Sequence, residues 1–353
     1  MLTETLLLLI GSIIIQTGHL VDLSFEDNHE QAVLVAQSER GDSRSAVERP
    51  PQLHGQTKHE FTVNLRRQSY ILYTPAAYQS DTALPLVIIL GDFNTRTRRF
   101  IHYIKFNELA DRNAFVVAYP DVYKDKTLLE ITGKDGGAGQ AIFLQQLIKD
   151  IAQQRNIRTE QIYLVGFSTG GVAVLSALCQ MTEKISGFAV VSASLPRQLR
   201  SQCTAKQKIP GLLIVGRDDP YIAWQMGDSE KSGIDAGLST ELLPVLQTVE
   251  YWTGRNRCDF RPLIQAIPNN DVRDGTSVTR LAYDGHCLTN KPIILYAVTG
   301  GGHSWPGNQY QAPFEDAGRT SQDINASEEI WKFFSNTVQS NQPTASNNAP
   351  SGN

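Results

Sequence analysis

Ile162-Tyr163-Leu164-Val165 is a continuous apolar run that passes directly into Gly166-Phe167-Ser168-Thr169-Gly170-Gly171 and then into Val172 to Cys179, a stretch of small and apolar residues. A short apolar run without polar alternation is what a strand buried on both faces looks like, and the stretch behind it reads as a buried helix. Almost nothing is left between the two for a turn. Glycine at 166 and 170 permits backbone approaches that a Cβ would block, and the residue at the apex must accept a strained conformation. The hydroxyl of Ser168 is thereby raised over the edge of the sheet. The N–H of Thr169, at the start of the helix, then faces any negative charge that develops beside it. Strand, Gly-x-Ser-x-Gly and helix together are the pattern of a nucleophile elbow. A glycine-serine turn without chemistry is the plain alternative, and the coincidence of all three parts argues against it.

The same alternation extends along the chain. Phe61 to Leu65 and Tyr70 to Tyr73 read as an opening hairpin, and Leu86 to Leu90, Phe115 to Tyr119, Phe188 to Val191, Leu212 to Val215 and Ile293 to Val298 read as further buried strands. Helical spacing appears at Leu144, Leu147, Ile148 and Ile151, and again at Ile330, Phe333, Phe334 and Val338. The fold class is therefore α/β, a mostly parallel central sheet with helices on both faces. No internal repeat is visible, which removes solenoids and propellers.

A serine hydroxyl needs a base within hydrogen-bond reach to act at neutral pH. His303 is the candidate, in the glycine-lined loop Gly300-Gly301-Gly302-His303-Ser304-Trp305-Pro306-Gly307 that follows the strand Ile293 to Val298. A lone loop histidine is more often a surface residue, but chain order and loop position both match what a nucleophile at 168 requires. An acid that fixes the imidazole belongs after a strand between the two. Gly216-Arg217-Asp218-Asp219-Pro220 offers a pair of carboxylates, and the residues alone leave Asp218 and Asp219 equivalent. No histidine or cysteine pair has metal-ligand spacing, so neither a metal nor another cofactor is expected.

The formal charge of -4 gives no basic surface for nucleic acid, and 41% hydrophobic residues is ordinary for a globular chain. Leu6 to Ile15 is an apolar run of signal-peptide length, too short for a stable membrane anchor, although no Lys or Arg precedes it. Residues 1–20 are expected to be a signal peptide, 21–56 a mobile leader, 57–338 the catalytic domain and 339–353 a disordered tail poor in anything to bury. Cys179, Cys203, Cys258 and Cys287 form an even set without CxxC spacing. That set suits two disulfides in an exported protein, extracellular or periplasmic, and four buried thiols in a reducing compartment is the alternative.

On these residues the chain resembles the secreted esterase family that holds polyhydroxybutyrate depolymerases and feruloyl esterases, α/β-hydrolases with a serine nucleophile. The likeness runs over nearly all of 65–338. Its motifs are Gly-x-Ser-x-Gly-Gly at 166–171, Gly-x-x-Asp-Pro at 216–220, Gly-Gly-Gly-His-Ser-Trp-Pro-Gly at 300–307, and Asn325-Ala326-Ser327 leading to Ile330-Trp331-Lys332-Phe333-Phe334. The Gly-His-x-Trp-Pro-Gly element is the most specific of them. The resemblance implies that Asp219, directly before Pro220, is the acid that partners His303. It also implies pairing of Cys258 with Cys287, which leaves Cys179 for Cys203. Trp305 and Phe167 are assigned to the substrate pocket, with packing of the loop against the core an equal reading for Trp305.

One departure stands out. Where the family reads Leu-His-Gly after its first central strand, this chain has Leu90-Gly91-Asp92-Phe93. The family's loop supplies the second oxyanion N–H there, with Thr169 supplying the first. An inward carboxylate would repel an oxyanion, and loss of one donor costs about a hundredfold or more in turnover. The expectation is that Asp92 turns outward while the backbone of Asp92 or Phe93 donates. The implied activity is hydrolysis of a carboxylic ester, with a hydroxyalkanoate polyester or a feruloyl or acetyl polysaccharide ester as substrate, by a monomer or weak oligomer. A serine peptidase on the same fold, or a weakly active polymer-binding relative, are the rivals. If the cysteines are paired, thiol labelling of denatured, non-reduced protein finds no free thiol; four free thiols would overturn the exported reading.

Overall fold

The computed structural model describes residues 54–122, 137–181, 185–203, 208–227, 242–285, 287, 290–308 and 316–339. The expected signal peptide, the leader up to residue 53 and the tail beyond residue 339 lie outside the described residues. The chain opens with the hairpin β1 (Gly55–Val63) and β2 (Arg66–Thr74), so the first strand starts inside the segment expected to be leader. The hairpin turns on Asn64 and Leu65, both at positive φ (48° and 64°), the combination that a tight two-residue turn matching strand twist demands. Asn tolerates that conformation. Leu65 was expected at the end of the strand but sits in the turn, 98% exposed, because burial and left-handed geometry cannot be met together there.

There follow β3 (Leu84–Leu90), α1 (Thr97–Ile104), α2 (Phe106–Asn113), β4 (Val116–Pro120), α3 (Ala138–Gln154), β5 (Ile157–Phe167) and α4 (Thr169–Leu178). The second half adds β6 (Gly187–Val191), α5 (Leu199–Gln202), β7 (Gly211–Gly216), α6 (Val245–Arg255), β8 (Leu263–Ala266), β9 (Ser277–Tyr283), β10 (Ile293–Thr299) and α7 (Ala326–Gln339). The strands form one sheet in the order β1-β2-β4-β3-β5-β6-β7-β10-β9-β8. Its six inner strands, β4 to β10 in that order, are mutually parallel, and antiparallel pairs close both edges. This is the α/β-hydrolase fold. The six continuous apolar runs assigned to buried strands, from Leu86–Leu90 to Ile293–Val298, are the six inner parallel strands.

The alternate residues of these strands feed two separate cores. Leu86, Ile88 and Leu90 of β3 point with Leu164, Phe188, Leu213 and Leu295 to the layer formed by α3, α4 and α6. Val87 and Ile89 point with Val117, Val165, Ile214 and Tyr296 to the layer of α1, α2 and α7. Each such side chain stabilises the fold by about 1.5–3 kcal/mol through the apolar area it removes from water. The strands at the far edge, β8 and β9, were not anticipated. All four residues of β8 are exposed and β9 buries only Val278 and Ala282, so neither shows the unbroken apolar signal of the centre.

Cys179, just past α4, is bonded to Cys203 just past α5, and Cys258, past α6, to Cys287 ahead of β10. Among the described residues no cysteine is free and no helix is long and apolar enough to cross a membrane.

α7 is fastened to the sheet by Phe334, fully buried and stacked on Tyr163 of β5 with ring centroids 4.4 Å apart. Phe334→Ala is expected to lower the unfolding free energy by about 3–5 kcal/mol, read by denaturant titration, through lost contacts and the cavity left behind.

Candidate active site

The carboxyl ends of parallel strands all open on one edge, and a crevice forms where successive connections leave a strand in opposite directions. Here that strand is β3, flanked by β4 on one side and β5 on the other. Asp92 follows β3 and Ser168 follows β5. Two strands further along, Asp219 follows β7, and its neighbour β10 leads to His303.

Ser168 has φ 55° and ψ -127°, a conformation that L-residues rarely adopt, and α4 begins at the next residue. The strain is held by close backbone contacts. A Cβ on Gly166 would lie 2.4 Å from the Gly171 Cα, and one on Gly170 would lie 2.3 Å from the Leu90 carbonyl oxygen. The N–H of Thr169 is at the first helical position, where helix geometry provides no intrahelical acceptor.

His303 is 2% exposed and its Nδ1 is 2.8 Å from Asp219 Oδ2. The other oxygen of Asp219 accepts the backbone N–H of Tyr221 at 2.9 Å and of Ile222 at 3.1 Å. A carboxylate so held is an acceptor, which puts the Nδ1 proton on the imidazole and leaves Nε2 as its basic nitrogen. Asp218 is exposed and Asp219 buried, which separates the two carboxylates the sequence left equivalent. The imidazole rests edgewise on Tyr221, with centroids 4.9 Å apart, and is tilted over Phe167 at 5.5 Å. Phe167 directly precedes Ser168 in the chain, so the imidazole packs on a side chain of the elbow segment.

The oxyanion side departs from expectation. Asp92 is 2% exposed and turned inward: Ser168 Oγ donates to its Oδ2 at 3.0 Å and Thr169 Oγ1 donates to the same oxygen at 2.9 Å. Its Oδ1 accepts the Asn94 N–H at 2.7 Å, an Asx turn that fixes the side chain over its own loop. The Phe93 N–H, a candidate donor, points to Thr169 Oγ1 at 3.2 Å. Local turn chemistry and two adjacent hydroxyls, neither evident from β3 alone, favour the inward arrangement.

Trp305 borders a hollow that Phe167 does not line. Both are buried, Trp305 at 1% exposure, and they pack against Phe100 and each other. The Trp305 N–H donates to the Tyr103 hydroxyl at 3.2 Å and its indole N–H to Ser327 Oγ at 3.1 Å. Burial raises the Tyr103 hydroxyl to about 12, with the bond from Trp305 acting in the opposite sense, so it stays neutral. A hollow of about 230 Å³ beside Trp305 is lined by Tyr103, Lys105, Arg112, Asn308 and Glu328, and by none of Ser168, Asp219 or His303. Among the described residues no cluster of His, Cys, Asp and Glu could hold a metal ion.

Residues 68–195 match the family described as esterase PHB depolymerase, a span that includes Asp92 and Ser168 and stops short of Asp219 and His303. The chain is 22% identical to the protein NocK of Nocardia uniformis subsp. tsuyamanensis over 79% of its own length and 82% of that protein. It is 22% identical to feruloyl esterase B of Piromyces equi over 66% of its length and 42% of that protein. Among solved structures, acetyl xylan esterase from Aspergillus awamori superposes with a TM-score of 0.51 at 13% identity, covering 79% of this chain and 99% of that one.

Gly170→Ala places a methyl group against the β3 carbonyls and is expected to lower the melting temperature by several degrees, about 1–3 kcal/mol of overpacking, with soluble yield falling alongside. An unchanged melting curve would show that the turn has slack.

Proposed function

The chain belongs to the polyhydroxybutyrate depolymerase and feruloyl esterase-like family of carboxylic ester hydrolases, and from that premise we propose that Ser168, His303 and Asp219 form its catalytic triad. The observation that carries this reading is the buried Asp219–His303 pair at 2.8 Å, packed on Phe167 next to a serine held at positive φ. In the first step Ser168 Oγ leaves Asp92 and donates to His303 Nε2. As His303 takes the proton, Oγ forms a bond to the ester carbonyl carbon, and the Thr169 N–H stabilises the oxyanion. The carbonyl reforms, the ester C–O bond breaks, and His303 returns the proton to the leaving alcohol. Water repeats the sequence on the acyl-enzyme. Asp219 orients the imidazole and stabilises its charged form, so it stays ionised throughout.

The substrate class is an acyl ester on a hydroxylated polymer. Acetyl or feruloyl groups on plant polysaccharide are favoured by the similarity to feruloyl esterase B and, over 33% of this chain, to a bifunctional acetylxylan esterase/xylanase of Neocallimastix patriciarum at 30% identity. Hydroxybutyrate oligomers are the second choice, on the strength of the matching family. Two disulfides support release into an oxidising compartment.

Initial rates on acetylated xylan, methyl ferulate and hydroxybutyrate oligomers test the proposal. Ser168→Ala is expected to abolish turnover above background, and Asp219→Asn to lower kcat by about 10⁴-fold with KM little changed, since it favours the wrong imidazole tautomer. Full activity in Ser168→Ala would sink the triad. Turnover of the hydroxybutyrate oligomers alone would move the substrate to the second choice.

A further inference from the structure

The outward face of α1 carries charge for which the helix itself has no use. Residues 96–105 read Arg-Thr-Arg-Arg-Phe-Ile-His-Tyr-Ile-Lys, and no acidic residue stands between Asp92 and Glu108, in a chain whose formal charge is -4. Phe100, Ile101, Tyr103 and Ile104 are buried, so Arg98, Arg99, His102 and Lys105 fall together on the exposed side at three-four spacing, with Arg96 just ahead. Like charges so placed repel one another, and arginines in a first turn oppose the helix dipole. Among the described residues no acid forms an ion pair with Arg98 or Arg99. Asp121 accepts the Thr97 hydroxyl at 2.9 Å and Glu108 lies on α2 beyond Lys105, which leaves cations in excess along the stripe. The joint between α1 and α2 is Lys105 itself, at φ 54°, where glycine or asparagine is usual.

The helix that displays this stripe is built into the site. Phe100 stacks on Phe167, the residue before Ser168, with ring centroids 5.9 Å apart, and meets the ring of Trp305 edge-on at 6.2 Å. The Tyr103 hydroxyl accepts the Trp305 N–H, in the loop that carries His303. Asp92 accepts from Ser168, and four residues of chain set the Arg96 backbone within about 14 Å of it. At the far end Lys105 borders the hollow of about 230 Å³ beside Trp305, which Asn308, Glu108 and the ion-paired Arg112 and Glu328 also line. From Arg98 to Lys105 the stripe is about 10 Å long.

Resting on the assignment of Ser168 as nucleophile, we propose that the stripe on α1 is a subsite for the polymer that carries the ester, and that this polymer is a polysaccharide with carboxylates along its backbone. Its acyl group enters at Ser168 while neighbouring uronate residues pair with Arg98 and Arg99, whose planar guanidinium groups match a carboxylate with two parallel hydrogen bonds. A single terminal carboxylate, such as that of a hydroxybutyrate oligomer, needs one arginine; a row of cations suits a row of charges. Single-stranded nucleic acid fits less well, because its binders add aromatic rings on which bases stack, and both rings of α1 are buried. A membrane surface fits less well too, because α1 exposes no apolar side chain to insert. Exposed charges act through encounter and binding, so the stripe lowers KM for an anionic polymer and loses its effect in salt.

The test is acetate release from acetylated polygalacturonate and from acetylated xylan free of uronic acid, with phenyl acetate as the uncharged small ester. The proteins are wild type, Arg98→Gln/Arg99→Gln, Ser168→Ala, and Arg67→Gln/Arg261→Gln, which removes the same charge at the two edges of the sheet. Rates are taken at about 0.01 M and about 0.15 M NaCl, between which the screening length falls from about 30 Å to about 8 Å. The expected wild-type kcat/KM is higher on polygalacturonate than on xylan, and the ratio of the two falls about tenfold in Arg98→Gln/Arg99→Gln, through KM, and falls with salt in wild type. The Arg67→Gln/Arg261→Gln ratio is expected to match wild type. A ratio unchanged in Arg98→Gln/Arg99→Gln, or lowered equally by Arg67→Gln/Arg261→Gln, overturns the subsite and leaves the triad standing, as does cleavage of phenyl acetate and xylan without polygalacturonate. A wild-type ratio indifferent to salt overturns it even if the variants do not fold. Wild-type rates in Ser168→Ala would overturn the nucleophile assignment itself and, with it, this proposal.

Discussion

The strained backbone at Ser168 is the constraint on which the site depends. A φ of 55° there is tolerated only because α4 is pressed against the end of β3, where Gly170 meets the Leu90 carbonyl, and against β5, where Gly166 meets Gly171. That contact does more than expose a hydroxyl. It brings the first turn of α4 over the β3 loop, and so Thr169 Oγ1 can receive the Phe93 N–H while donating to Asp92. The chemistry of the oxyanion side is therefore a consequence of how tightly the elbow closes.

Two carboxylates at the carboxyl ends of the strands, Asp92 and Asp219, are buried and held by different kinds of partner. Asp219 has one oxygen accepting from two backbone N–H groups and the other on His303. Asp92 has one oxygen in an Asx turn and the other shared by two hydroxyls, which can reorient. Hydroxyl partners accept as readily as they donate, whereas backbone N–H groups cannot.

Much of this was legible in the order of residues. Buried parallel strands announce themselves as apolar runs, and the elbow does so through glycines whose necessity is steric. His303 could be picked because only one histidine follows a late strand in a glycine-rich loop. What escaped had physical reasons. The edge strands β8 and β9 bury little, so their period is weak. Asp218 and Asp219 differ only in which way a turn points them, and the inward turn of Asp92 depends on Thr169, 77 positions away in sequence. The burial of Trp305 depends on Tyr103 and Ser327 in the same way. Side chains whose surroundings come from remote segments are read from the fold, not from their neighbours in the chain.

Those remote contacts also decide which part of the site can move. The 300–307 loop is pinned by the Gly302 N–H on the Arg319 carbonyl, by the His303 N–H on the Ala317 carbonyl and by the Pro306 carbonyl, which accepts from the Ala326 N–H at the start of α7. Trp305 anchors it to α1 and α7 through its two N–H groups and its ring contacts. The imidazole is clamped by Asp219, Tyr221 and Phe167. In the proposed triad the imidazole is therefore the fixed member, and adjustment falls to the Ser168 side chain, which is bonded to Asp92 in this structure.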